Sequence, residues 1–67
     1  MSCYAYKTNH FNYYIEKMED VFYFTVRRNR DNHFFGPVLM SKRSMLKLML
    51  DLDFPPSFIK LTYLTRC

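Results

Sequence analysis

A single glycine, Gly36, stands in this sequence, and that scarcity excludes the glycine-rich loops that cradle phosphates in P-loop and dinucleotide-binding proteins. Cysteine is nearly as rare. Cys3 and Cys67 sit near opposite ends of the chain, too few for a disulfide framework and without the paired spacing of a zinc site. Both are expected to be free thiols in a reducing compartment. The two histidines, His10 and His33, lie far apart in sequence, and neither belongs to a metal-ligand or nucleophile–base pattern. No catalytic, metal or nucleotide motif is present. The expectation is therefore a non-enzymatic protein without a cofactor.

Long apolar runs are also missing. Nothing approaches the roughly 18–20 residues of a membrane-spanning helix, and "MSCYAYKTNHF" lacks the apolar stretch of a signal peptide. This leads to the expectation of a cytoplasmic protein that does not engage membranes. Tryptophan is absent and alanine occurs once, against many Asn, Lys, Tyr and Phe. In so short a chain, that bias suggests an AT-rich viral or mobile-element gene, with the host cytoplasm as its setting.

What is present is apolar and aromatic: 49% of residues are hydrophobic and 19% aromatic, with seven Phe and six Tyr. A chain of 67 residues is near the size where one core only just outweighs chain entropy, so a single domain with a dense core is expected. Such a composition argues against disorder.

Residues 3–8, "CYAYKT", and 11–18, "FNYYIEKM", are aromatic and β-branched enough for strands. Residues 21–27, "VFYFTVR", alternate most clearly, with Phe22, Phe24 and Val26 on one face and Val21, Tyr23, Thr25 and Arg27 on the other. "EKMED" then reads as one hairpin turn and "RNRDNH" as a second, leading to a strand near 34–40. Gly36-Pro37 interrupts that strand, which must lie at an edge, start after Pro37, or bulge at Gly36.

Ser41 or Ser44 can cap a following helix, "KRSMLKLMLDL", whose Met45, Leu46, Leu48, Met49, Leu50 and Leu52 cover most of its circumference. Only Arg43, Lys47 and Asp51 make a polar stripe. A helix this apolar wants cover on two sides, which suggests a homodimer or constitutive partner contact through it. "DFPPS" ends the helix, and "FIKLTYLTR" alternates as a final strand. The expected fold is α+β: an antiparallel sheet in the order β-β-β-α-β, with a further N-terminal strand allowed and one helix on a face.

Charge supplies the functional candidates. The chain carries a net +4, and Arg27, Arg28, Arg30, Lys42, Arg43 and Lys47 crowd residues 27–47, while Glu16, Glu19 and Asp20 crowd the other hairpin turn. Whether the six cations share one surface depends on the fold. Ser41, Lys42, Arg43 and Ser44 could together hold a phosphate at a helix start. Two function classes follow. The first is a small accessory factor of viral or phage type that binds and modulates or inhibits a larger host protein, using Met45, Met49, Tyr23 and Phe35 beside the basic cluster. The second is a nucleic-acid or phosphate-ligand binder using the 27–47 segment.

Overall fold

Four strands form where aromatic and β-branched residues alternate: β1 (Ser2–Lys7), β2 (Phe11–Met18), β3 (Val21–Arg28) and β4 (His33–Ser41). The computed structural model, which describes residues 2–64, pairs them as one antiparallel sheet in sequence order β1-β2-β3-β4. Strands β1 and β4 are the edges. Between β2 and β3 only Glu19 and Asp20 turn the chain, with Glu19 at φ 47°. Between β3 and β4 residues 29–32 do so, with Asn32 at φ 57°, a left-handed position that asparagine tolerates well.

The β4 strand carries the bulge that its sequence suggested. Phe24 faces Val38 and Val26 faces Phe35, so Gly36 and Pro37 together oppose Thr25. Gly36 sits at φ +95°, and a Cβ there would meet the Phe24 carbonyl oxygen at 2.6 Å. Only glycine fits that approach. The Gly36-Pro37 peptide is cis.

Helix α1 (Lys42–Asp51) begins where Ser41 Oγ accepts from the Ser44 amide at 3.2 Å. It ends in a Schellman motif: the Phe54 amide donates to the Met49 carbonyl at 3.0 Å and the Asp53 amide to the Leu50 carbonyl at 3.1 Å, with Asp53 at φ 58°. Helix α2 (Pro56–Leu64) follows. Its first turn is set by the Pro55 carbonyl, which accepts from the Phe58 and Ile59 amides at 3.0 and 3.1 Å.

Two expectations are corrected here. The element order is β-β-β-β-α-α, not β-β-β-α-β, and two helices follow the sheet rather than one. The segment read as a final strand is helical through residue 64; residues 65–67, including Cys67 and its thiol, lie outside the described residues. The alternation in "FIKLTYL" misleads because the same residues also make a helical face. Phe58, Ile59 and Thr62 fall three and four apart and turn inward.

Both helices lie on one face of the sheet. Ile15, Phe22, Phe24, Met45, Met49 and Phe54 are buried together, and Tyr4, Tyr6, Tyr13, Val26 and Met40 pack around them from the same face. Tyr6 meets Phe54 and Phe58 at ring-centroid distances of 4.9 and 5.3 Å. Thr62 is buried with its hydroxyl near Met49 Sδ at 3.4 Å and the Phe58 carbonyl at 3.1 Å, so its polar atom is satisfied. Lys17 is also buried on this face, its ammonium 5.9 Å from the Phe22 ring centroid.

The cover that α1 lacked on paper comes in part from α2. Met45 and Met49, placed by sequence at an interface, are both fully buried in this chain's own core. That assignment is corrected: they fill the gap between helix and sheet and offer nothing to a partner. Of the six apolar residues that argued for cover on two sides, Leu50 and Leu52 remain 58% and 38% exposed.

Candidate functional site

The six cations do not converge. Arg27, Arg28 and Arg30 belong to the end of β3 and the turn before β4, whereas Lys42, Arg43 and Lys47 follow β4 on α1. The eight residue steps of β4 separate the two groups by roughly 25 Å. Lys42 stands beside the opposite hairpin turn, its Nζ 3.7 Å from Asp20, with both side chains exposed.

Inside the first group the arginines have different roles. Arg27 lies half-buried across the uncovered face of the sheet. Its Nη2 donates to Asn29 Oδ1 at 3.2 Å and, with the Asn12 amide turned to suit its neighbours, to Asn12 Oδ1 at 2.7 Å. Asn29 in turn donates from Nδ2 to the Thr8 carbonyl at 3.0 Å and from its backbone amide to the His10 carbonyl at 2.9 Å. Arg27 therefore ties β2 to the two loops at this end of the sheet through Nη2, while its buried Nε has no hydrogen-bond partner.

Arg28 forms a bidentate pair with Asp31, Nε to Oδ1 at 3.0 Å and Nη2 to Oδ2 at 2.7 Å. These bonds lower the Asp31 carboxyl to about 2 and raise the Arg28 pKa. The guanidinium also stands 5.4 Å from the Phe35 ring, against which His33 packs edge-on at 4.7 Å. Among the described residues no ion pair holds Arg30, Arg43 or Lys47, and all three are exposed.

The helix start is less of an anion site than its sequence promised. Ser41 Oγ is engaged with the Ser44 amide and lies 3.2 Å from Ser44 Oγ, so the cap satisfies itself. Among the described residues no group of three or more His, Cys, Asp or Glu could hold a metal. No helix there is long and apolar enough to cross a membrane.

The surface that sequence reading missed is β4 itself. Phe34 is 56%, Phe35 45%, Val38 49% and Leu39 59% exposed. The register with β3 puts Phe35 and Val38 on the helix-bearing face and Phe34 and Leu39 on the other. Both faces of this edge strand thus carry open apolar groups: α1 packs on β3 and β4, but of β4 only Met40 joins the core, and the ring contacts of Phe54 fall on Tyr6 and Tyr13 of β1 and β2. Beside it, Tyr23 lies half-buried in a shallow trough of about 520 Å³ with Cys3, Ala5, Tyr14, Thr25 and Pro37. Of the four residues assigned to an interface from sequence, Tyr23 and Phe35 reach this surface, and the two methionines do not.

No protein-family model, curated protein or solved structure matches this chain.

Proposed function

We propose that this chain acts by binding rather than by catalysis, as a small accessory module that docks on a larger protein through β4. The observation that carries this reading is the exposure of Phe34, Phe35, Val38 and Leu39 on an unpaired edge strand. Folded proteins usually protect such an edge by shortening, charging or covering it, or with a proline or a bulge; β4 has the last two at Gly36-Pro37, yet its large apolar side chains on either side remain open, and exposed apolar surface of this kind marks contact sites. Phe and Arg, enriched in interfaces, meet here in Phe35 and Arg28.

A nucleic-acid grip over residues 27–47 has less support. Single-strand binders need a continuous basic groove lined with stackable rings. Here the cations stand at two separate ends, and Arg27 and Arg28 already have partners.

Affinity capture from a nuclease-treated lysate tests the reading when wild type is compared with two variants. Phe34→Asp/Leu39→Asp charges β4; Leu61→Asp charges an exposed position on α2, where Leu61 is 51% exposed. The expected result is a protein partner retained by wild type and Leu61→Asp and lost by the β4 variant. Equal capture by all three, or loss of all binding on nuclease treatment, overturns it.

A further inference from the structure

We infer that the sheet face opposite the helices is a dimer face, on which a second copy of this chain packs sheet to sheet. Such a contact goes beyond docking at the β4 edge and does not depend on it. Three observations converge on a second copy as the occupant.

The first is composition. An antiparallel sheet with one solvated face carries polar side chains there, but this face does not. Its middle row is Ala5, Tyr14 and Thr25. One row towards the 19–20 turn stand Cys3, Glu16, Tyr23 and Leu39, and one row towards the 29–32 turn stand Lys7, Asn12, Arg27 and Phe34. Phe34 and Leu39 are each more than half exposed. The second observation is that the charges of this face are unmet within the chain. Among the described residues Glu16, Lys7 and Arg27 form no ion pair. Arg27 is held only by the neutral Asn12 and Asn29 and keeps a buried Nε without a partner.

The third observation is how these charges are placed. Glu16 lies one row from the middle on one side, and Lys7 and Arg27 lie one row from it on the other, about 7 Å each way. A twofold axis running across the strands over the middle row sets each strand against itself with its ends exchanged. Glu16 of one copy then comes over Asn12 of the other, between Lys7 and Arg27, while Phe34 comes over Leu39 and Tyr14 over Tyr14. Acid meets base twice and apolar meets apolar, which is the self-complementarity that an isologous contact needs. The turns agree with it. Glu19 and Asp20 of one copy approach Arg30 of the other, whereas Lys42 is held by Asp20 and Arg28 by Asp31. A twofold axis along the strands would instead bring the two Glu16 rows and the two acidic turns together, opposing like charges. With the axis across the strands, β4 lies over β4, so its free edge, with Phe35 and Val38, stays open to a partner.

Sedimentation equilibrium of the full chain at rising concentration tests this. The expected mass climbs towards twice the 8.2 kDa of one chain. Glu16→Lys and, separately, Lys7→Glu/Arg27→Gln should each weaken the dimer at least about tenfold, because each sets like charges against one another at both ends. Mixed in equal amounts, the two variants should associate at least about tenfold more tightly than either does with itself, since acid again meets base. Amide spectra of the separate variants check that both fold. Glu16 is half-buried and pairs with nothing among the described residues, so its variant decides the matter even if Arg27→Gln loosens the loops. A mass that stays at one chain up to about 1 mM, a dimer indifferent to Glu16→Lys, or a mixture that associates no better than its components would overturn the inference. Docking at β4 is read separately: a monomeric Glu16→Lys that still captures the cellular partner supports both the dimer face and the edge.

Discussion

Arg28 grips both carboxylate oxygens of Asp31 across the turn that leads into β4, at 3.0 and 2.7 Å. Asp31 Oδ1 also accepts from the His33 amide at 3.2 Å, so one carboxylate links the end of β3 to the first residue of β4. The pair shapes the start of the exposed edge, and its charge state is set by pH.

The Arg28 hydrogen bonds are the main cause of the low Asp31 pKa of about 2, with the His33 amide helping and partial desolvation opposing. A carboxyl lowered on folding contributes stability above its unfolded pKa of roughly 4, and that contribution is lost as pH falls through about 2. Both side chains are partly open to solvent, so the effect on global stability is small. A carbon-detected titration of Asp31 should show a midpoint near 2 in wild type and a higher one in Arg28→Ala. A wild-type midpoint near 4 would show that the pair does not form in solution.

Gly36→Ala places a methyl 2.6 Å from the Phe24 carbonyl oxygen and 3.1 Å from the Val38 nitrogen at φ +95°. Both are backbone atoms of a paired ladder and cannot swing aside. Denaturant unfolding should show a loss of about 2–3 kcal/mol. A loss below about 0.5 kcal/mol would mean that the bulge rearranges freely.

Asp53 supplies the left-handed residue of the α1 Schellman motif at φ 58°, a position where glycine carries no Cβ penalty. Asp53→Gly should raise stability by about 0.5–1 kcal/mol with the fold unchanged. Destabilisation would point to a contact of the carboxylate that outweighs its backbone cost.

Met49 is fully buried between sheet and helices, with the Thr62 hydroxyl 3.4 Å from its sulfur. Met49→Ala should cost about 2–5 kcal/mol, a large share of the total for a domain this small, whereas Met49→Leu should cost less than about 1.5 kcal/mol. If Met49→Ala instead retained full stability in thermal melts, the core described for α1 and α2 would be wrong.

The sheet was legible because strand patterns and turn residues agree. Phe22, Phe24 and Val26 share the inward face as their alternation implies, and Asn32 occupies the left-handed turn position that its side chain suits. Gly36-Pro37 offered an edge, a start after Pro37 or a bulge as alternatives, and the strand proves to be both at an edge and bulged while starting earlier, at His33. Helix α2 was hidden because seven residues satisfy two periods at once. The better signal was Pro56, which fits the first turn of a helix, where its missing amide has no partner to lose.

The proposed docking surface was hidden for a different reason. Phe34, Phe35, Val38 and Leu39 look like core by composition, and only the fold shows that of β4 Met40 alone packs against the core while these four stay open. The sequence placed a strand near 34–40 between the two groups of basic residues, and what it left open was whether they share one surface. The extended chain of β4 answers it by holding the two groups at opposite ends.

The central claim is that β4 is the docking edge, and amide hydrogen exchange on the full chain with its captured partner tests it most directly. The account predicts that residues 33–41 exchange readily in the free protein and become protected in the complex, while protection of β1 and α2 stays unchanged. Protection gained at β1, along α2 or over the Tyr23 trough, with β4 as open as before, would contradict it.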